Sequence, residues 1–168
     1  MSSLFYTAGS NISANSTAAR SIISDSGITR YKVITDTRIM YGKASEPYTY
    51  FPDGVYFEKF DTVFNVEASV KADTAYFYER RKIWRLVGNV DITNLEGKRF
   101  QTSELFWDQQ KKIVYSDSSI RATEGDKVNR GIGFISNENF TKVTIFNPSA
   151  EIPVETQRRP LQSDSISP

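Results

Sequence analysis

Two residue types that often carry acid–base and nucleophilic catalysis are missing from this chain. Its 168 residues include no His and no Cys, which excludes Ser-His-Asp triads, imidazole chemistry, thiol catalysis, disulfides and zinc–thiolate sites. Carboxylate chemistry stays open, and Asp73, Glu104 and Asp108 are the acids that a glycosidase pair could use. These acids are scattered, and nothing places two of them in one cleft. We therefore expect no catalytic residues, no metal site and no cofactor.

A glycine-containing segment and two groups of basic residues could bind ligands, but ordinary structure explains each of them better. Residues 131–133, Gly-Ile-Gly, are half of a dinucleotide fingerprint without its third Gly, helix or ribose-binding acid. The basic residues 80–82 and 111–112 could meet phosphates, but they lie on predicted turns, where charge is usually solvated. The chain has 21 basic and 20 acidic residues, so we expect no nucleic-acid binding.

Alternating apolar residues predict β-strands through the middle of the chain. Trp84, Leu86, Val90 and Ile92 share one parity, and polar residues occupy much of the other, which is typical of strands with one buried face. The 9 Tyr and 11 Phe also favour sheet. After Asp73 the apolar parity changes, which indicates a bulge or a sharp bend. No segment has a sustained helical stripe, so we predict an all-β fold.

An internal repeat organises these strands. Residues 70–93 align without a gap on residues 100–123, at an offset of 30, and Lys82 falls on Lys112. Each unit reads as strand, polar turn, strand. A hairpin cannot bury its own apolar face, so repeated hairpins must stack, which leaves edges that can pair with a strand of another chain. A closed sandwich, in which the repeat reflects only an old duplication, is an equally open reading.

The two ends differ in composition from this central region. Residues 7–27 are rich in Ser, Ala, Asn and Thr, and Pro residues punctuate the C-terminal end. We predict a flexible leader over residues 1–27, one β domain over 28–153 and a disordered tail over 154–168. No apolar run approaches the roughly 18 residues needed to cross a bilayer, so we expect no membrane anchor in this chain.

Several segments, taken in order, carry a family resemblance. They are residues 47–52 and 54–57, residues 71–78 (Lys-Ala-Asp-Thr-Ala-Tyr-Phe-Tyr), residues 84–92 (Trp-Arg-Leu-Val-Gly-Asn-Val-Asp-Ile), residues 100–108 (Phe-Gln-Thr-Ser-Glu-Leu-Phe-Trp-Asp), and residues 114–117 and 131–134. Over about residues 24–153 the chain resembles the LptC / OstA-like family of lipopolysaccharide transport proteins.

The resemblance implies an open β-jellyroll of stacked antiparallel hairpins, V-shaped in cross-section, on the periplasmic side of the inner membrane. Such a protein receives lipopolysaccharide from an inner-membrane ABC transporter and passes it along a hydrophobic groove to the next jellyroll of a bridge. The strand near residues 30–40 would dock toward the transporter, and the strand near 143–146 would pair edge to edge with the next jellyroll. The sequence departs from the family in having no N-terminal transmembrane segment, which leaves the mode of membrane attachment open.

The buried parity of the strands supplies candidates for the lipid-binding groove, because acyl chains need a continuous apolar trough. Each candidate could equally be ordinary core without lipid contact. The candidates are Trp84, Leu86, Val90 and Ile92, followed through the repeat by Val70, Ala72, Phe100, Leu105, Val114 and Ile120.

Two other functions fit an all-β chain without catalytic residues. One is a secreted carbohydrate-binding β-sandwich that uses exposed Tyr and Trp as sugar platforms. The other is a scaffold that uses only its strand edges. The orientation of Trp84 and Trp107 discriminates the first of these, since sugar binding needs them on an outer face and acyl-chain binding needs inward-facing aliphatic residues.

Overall fold

The computed structural model describes residues 13–25 and 28–151, which form twelve β-strands and no helix. The strands are β1 (Ser13–Asp25), β2 (Ile28–Tyr41), β3 (Tyr48–Phe51), β4 (Val55–Phe60), β5 (Val66–Ala72), β6 (Thr74–Tyr78), β7 (Ile83–Asn94), β8 (Arg99–Asp108), β9 (Ile113–Glu124), β10 (Lys127–Asn137), β11 (Val143–Ile145) and β12 (Ser149–Glu151). They pair antiparallel in one continuous sheet. The predicted all-β fold is confirmed.

The sequence repeat corresponds to successive hairpins. The β6–β7 turn and the β8–β9 turn each end on a lysine in the left-handed region, Lys82 with a φ of 54° and Lys112 with a φ of 56°. In the first unit, residues 70–93, the part before the turn is split into two strands, β5 and β6. In the second unit, residues 100–123, the same part is the single strand β8. The two units therefore share a backbone pattern as well as residue types.

Two long strands each pair with two shorter strands along one edge. β7 pairs with β6 through residues 83–87 and with β5 through residues 91–94. β2 pairs with β4 through residues 31–34 and with β3 through residues 39–41. The sheet is thus divided into two parts by a line that crosses the long strands. We call the part that contains β4, β5 and β12, with the adjoining ends of the long strands, the first half-sheet. The part with β3, β6 and β11 is the second half-sheet.

A row of irregularities marks the line between the two half-sheets. The register shifts within β7, β8 and β10, and the chain bends at Asp73 between β5 and β6. In β8 the buried residues change parity at this line, from Phe100 and Thr102 to Leu105 and Trp107. Bulges of this kind bend a strand. The strands therefore bend together, and both half-sheets turn their apolar side toward one interior.

The bend is fixed where Asp73 meets β7. The Asp73 amide donates to the Gly88 carbonyl at 2.9 Å, and the Asn89 side-chain amide donates to Asp73 Oδ2 at 2.7 Å. Gly88 has a φ of +84°, and a Cβ there would lie 2.8 Å from Asp73 Oδ2. Only glycine meets both conditions without strain.

The two half-sheets pack face to face through aromatic rings. The ring of Phe57, in the first half-sheet, lies edge-on to Trp84 of the second, with centroids 4.8 Å apart. Tyr31 of the first half-sheet makes the same type of contact with Trp107 of the second at 4.6 Å. Burial of these rings removes a large apolar area from water. The architecture is a β-jellyroll folded about the bend line.

The N-terminal boundary differs from the prediction. The leader predicted over residues 1–27 contains β1, which pairs with β2 from Ser13 opposite Met40 to Asp25 opposite Ile28. An outer strand is held by main-chain hydrogen bonds and needs no apolar alternation, so its composition gave no strand signal. The strand predicted near residues 30–40 as a docking edge is covered by β1 on one side and by β3 and β4 on the other. Residues 1–12, 26–27 and 152–168, including the predicted tail, lie outside the described residues.

We expect Gly88→Ala to destabilise the protein more than Gly97→Ala does. Both glycines have a positive φ, but a Cβ at Gly97 would meet nothing within 4 Å, whereas a Cβ at Gly88 would overlap Asp73. Gly97→Ala, the control, should lower the free energy of unfolding by about 1 kcal/mol because of its left-handed backbone. Gly88→Ala should lower it by at least about 1 kcal/mol more because of the clash. Urea unfolding of both variants measures the difference, and equal losses would show that contact with Asp73 does not fix the bend.

Candidate functional site

The residues predicted to line the groove lie in the interior between the two half-sheets. Nine of the ten belong to the buried core, and Val70 is partly buried and packs against it. The buried nine are Ala72, Trp84, Leu86, Val90, Ile92, Phe100, Leu105, Val114 and Ile120. The structure therefore brings them into one apolar cluster, and whether they contact lipid stays a prediction.

A cavity of about 40 Å³ remains between the half-sheets. Four of the predicted residues line it, namely Val70, Leu86, Leu105 and Val114. The other six are buried elsewhere in the same cluster. The remaining lining residues are Tyr31, Phe57, Lys59, Ala68, Trp107, Glu138 and Phe140. At this cavity, predicted residues from three hairpins meet one space.

The interior is narrower than the open trough that the sequence predicts. A cavity of 40 Å³ holds a few waters, whereas sites for small organic ligands occupy roughly 300 to 1,000 Å³. Contact between two facing apolar walls is favourable, because it removes their surface from water. An acyl chain would fit here only if the two half-sheets moved apart.

A carboxylate lies at the mouth of this cavity. Glu138 Oε2 accepts a hydrogen bond from the Tyr31 hydroxyl at 2.7 Å and another from Trp107 Nε1 at 2.8 Å. The two donors belong to different half-sheets, so Glu138 connects them. Lys59 also lines the cavity and pairs with Glu67 at 2.6 Å. The mouth is thus polar and charged, while the cavity behind it is apolar.

The loop that carries Glu138 is compact. Asn137 Oδ1 accepts hydrogen bonds from the amides of Thr141 and Lys142 at 3.1 and 3.0 Å. The carbonyl of Phe140 accepts from Asn94 Nδ2 at 2.8 Å, and Asn94 is itself 5% exposed. The loop from residue 137 to 142 leaves the second half-sheet and is held against the first.

Turns with exposed apolar side chains form the rim of the first half-sheet beside this mouth. Val63 and Phe64 are 70% and 64% exposed, and Leu95 of the next turn is 68% exposed. A hydrogen bond of 2.9 Å from Leu95 to the backbone of β5 holds the turns together. A hydrogen bond from the backbone amide of Asn65 to Asp61 Oδ1 lowers the pKa of Asp61, which caps the first turn. The rim is therefore apolar and fixed in shape.

Sequence reasoning missed several residues that line the cavity. Trp107 follows Leu105 at the spacing of a strand and could have been found by extending the alternation in β8. Glu138 and Phe140 lie in a loop without periodicity, and their contacts with Tyr31, 107 residues from Glu138, and with Phe100 depend on the folded arrangement. No local pattern could have indicated them.

The tryptophans point inward, against the sugar-platform alternative. Trp84 is 1% exposed and Trp107 is 8% exposed. Tyrosines do lie on the outer side of the second half-sheet, but they stack on one another. Tyr41 stacks on Tyr48 at 4.7 Å, and Tyr50 stacks on Tyr76 at 4.8 Å. One face of each of these four rings is therefore covered by its stacked neighbour.

The acids considered for catalysis have structural partners. Asp108 Oδ1 accepts from the amides of Gln110 and Lys111 in the β8–β9 turn, at 3.0 and 2.9 Å. Glu104 accepts from Arg85 at 3.2 Å, and this hydrogen bond raises the pKa of the guanidinium. Asp73 fixes the bend. In the part of the chain that the structure describes, no cluster of acids is placed to hold a metal ion.

The Gly-Ile-Gly segment also has a structural role. A Cβ at Gly131 would overlap the side chain of Ile145, so this glycine allows β11 to approach β10. Among the described residues, none forms a helix with the length and apolarity to span a membrane.

The structure thus defines the chain as a β-jellyroll folded about an apolar interior with a polar mouth. The sequence matches the family described as "Lipopolysaccharide-assembly, LptC-related" over residues 17–148. This chain belongs to that LptC-related family and takes part in lipopolysaccharide transport. No curated protein matches the chain in sequence.

We expect Trp107→Phe to destabilise the protein more than Trp84→Phe, although Trp84 is the more buried. Trp84 Nε1 is buried and has no hydrogen-bond partner among the described residues, so its removal relieves a penalty of about 1 to 3 kcal/mol. Trp107→Phe instead breaks the bond to Glu138, at a cost of about 1.5 to 3 kcal/mol. Both changes delete a similar volume. Chemical denaturation of the two variants compares them, and a larger loss for Trp84→Phe would contradict this account.

Proposed function

We propose that this chain is a lipopolysaccharide carrier of the export bridge, which holds acyl chains between its two half-sheets. The observation that supports this most directly is the cavity that Val70, Leu86, Leu105 and Val114 line. It lies between two apolar walls, and its polar mouth would let the sugars of the lipid stay in water. Membership of the family supports the same reading.

Binding requires that new contacts exceed the cost of separating the half-sheets. Each buried CH₂ group of an acyl chain contributes about 0.8 kcal/mol, so a chain of about twelve carbons contributes on the order of 10 kcal/mol. Opening exposes wall residues that now contact each other, and the lipid covers them again. The net gain is therefore smaller than the gross gain, which suits a carrier that must release its cargo.

The carrier works without catalysis in this proposal. It consumes no cofactor, and energy comes from an inner-membrane ABC transporter that supplies the lipid. Direction along the bridge follows from the relative affinities of successive grooves. We place the chain in the periplasm, associated with the inner membrane.

The ends of the sheet offer edges for partners. Among the described strands, β11 pairs only with β10, so its other side can pair with an edge strand of the next jellyroll. At the opposite end the outer strand is β1. We therefore assign contact with the transporter to the β1 end, in place of the strand near residues 30–40.

Photocrosslinking in cells tests the carrier function. A photoreactive amino acid at Leu86 should form adducts with lipopolysaccharide, because this residue lines the cavity. Arg85 is the matched control, since it is the adjacent residue of β7, belongs to the outer side of the strand and pairs with Glu104. Val114, in β9, provides a second position inside the cavity.

The expected result is lipid adducts at Leu86 and Val114 and none at Arg85. Adducts with protein alone at both inner positions would overturn the proposal and favour a scaffold that uses only its edges. Equal lipid adducts at Arg85 would show surface adsorption in place of binding in the groove.

A further inference from the structure

The loop from residue 137 to 142 places an acid and an aromatic ring inside the groove. Glu138 lines the mouth, and Phe140, two residues later, is 2% exposed with its ring centroid 5.7 Å from Phe100. Phe140 has a φ of 56°, a left-handed conformation that is uncommon for a bulky side chain. Strained positions that the surroundings hold in place often mark functional sites.

Glu138 is a half-buried carboxylate held by neutral donors. Among the described residues, it accepts hydrogen bonds from Tyr31 and Trp107. Lys59 lies directly opposite Tyr31 in the pairing of β4 with β2 and lines the same cavity. Two donors, one from each half-sheet, converge on one oxygen, and the Lys59 ammonium, which pairs with Glu67 at 2.6 Å, lies in the same wall. Such a cluster suits an anion, because charge-assisted hydrogen bonds offset the cost of removing the anion from water.

We propose that Glu138 and Phe140 occupy the positions that an anionic amphipathic lipid takes when the groove opens. Tyr31, Trp107 and Lys59 then form a subsite for a phosphate or carboxylate group of the lipid, and an acyl segment replaces the ring of Phe140. The loop competes with the lipid for the same donors and the same apolar space. This inference rests on the proposed carrier function and names the headgroup chemistry of that site.

The arrangement selects for charge as well as for apolar chains. A neutral amphiphile that displaces the loop gains apolar burial but removes the acceptor of Trp107 Nε1 and supplies no charged replacement. A buried donor that is left without a partner costs free energy. A site built to hydrogen-bond a group of its ligand therefore rejects an analogue that lacks that group. An anionic amphiphile replaces the Glu138 carboxylate and keeps both donors bonded.

Binding of single-chain amphiphiles to the full chain tests this competition. The probes are tetradecyl phosphate and tetradecyl maltoside, below their micelle concentrations, followed by tryptophan fluorescence. Glu138→Gln should bind tetradecyl phosphate about tenfold more tightly than the unchanged protein, because the loop loses its charged hydrogen bonds. Adding Tyr31→Phe to Glu138→Gln should weaken binding of the phosphate and leave binding of the maltoside unchanged.

Asp117→Asn is the matched control, because it also removes one carboxylate but lies exposed on β9 at the bend. It should bind both probes as the unchanged protein does. Inorganic phosphate alone should not compete, and competition as strong as that of tetradecyl phosphate would overturn the assignment to an amphipathic lipid. Hydrogen exchange of the amides of residues 137–142 gives a second readout. It should accelerate when tetradecyl phosphate binds the unchanged protein.

The outcomes separate this inference from the carrier function. Unchanged affinity in Glu138→Gln, with unchanged exchange in the loop, overturns the competition even if Leu86 forms adducts with lipopolysaccharide. Tighter binding and faster exchange without any such adducts support the anion subsite and overturn the carrier function.

Discussion

The bend across the long strands is the constraint on which the rest of the structure depends. A flat antiparallel sheet of these strands would leave its apolar face in water, with nothing to cover it. Because Asp73 is bonded to Gly88 and Asn89, the sheet folds on itself and each half covers the other. The core, the cavity and the polar mouth all follow from this fold. The walls of the cavity are therefore part of the hydrophobic core of the protein.

The strands could be predicted from the sequence because their signal is local. Alternation in β7 and the offset of 30 between the repeats indicate hairpins, and the parity change at Asp73 indicates the bend. β1 could not be predicted in this way. It pairs with β2 through its backbone, and a strand at the end of a sheet needs no apolar face of its own.

The site could be predicted only in part, for a related reason. Leu86, Leu105 and Val114 repeat with the strands, so a search for buried parity finds them. Periodicity does not distinguish core residues from residues that line a space, because both face inward. Glu138 lies in a loop and reaches the site through the fold. The polar part of the site thus depends on long-range contacts, whereas the apolar part follows from the local periodicity of each hairpin.

The distribution of bonds between the bend and the mouth has a mechanical consequence. At the bend the pairing of β7 with β8 is interrupted between Val87 and Val90, whereas main-chain pairing continues within each half-sheet, and rings and a few side-chain hydrogen bonds, including those of Glu138, hold the opposite rims together. Separation of the half-sheets would therefore cost most where the rims part, because the ring contacts and side-chain hydrogen bonds between them are broken there. In the proposed carrier function, this means that a lipid enters and leaves while the strand pairs within each half-sheet stay intact.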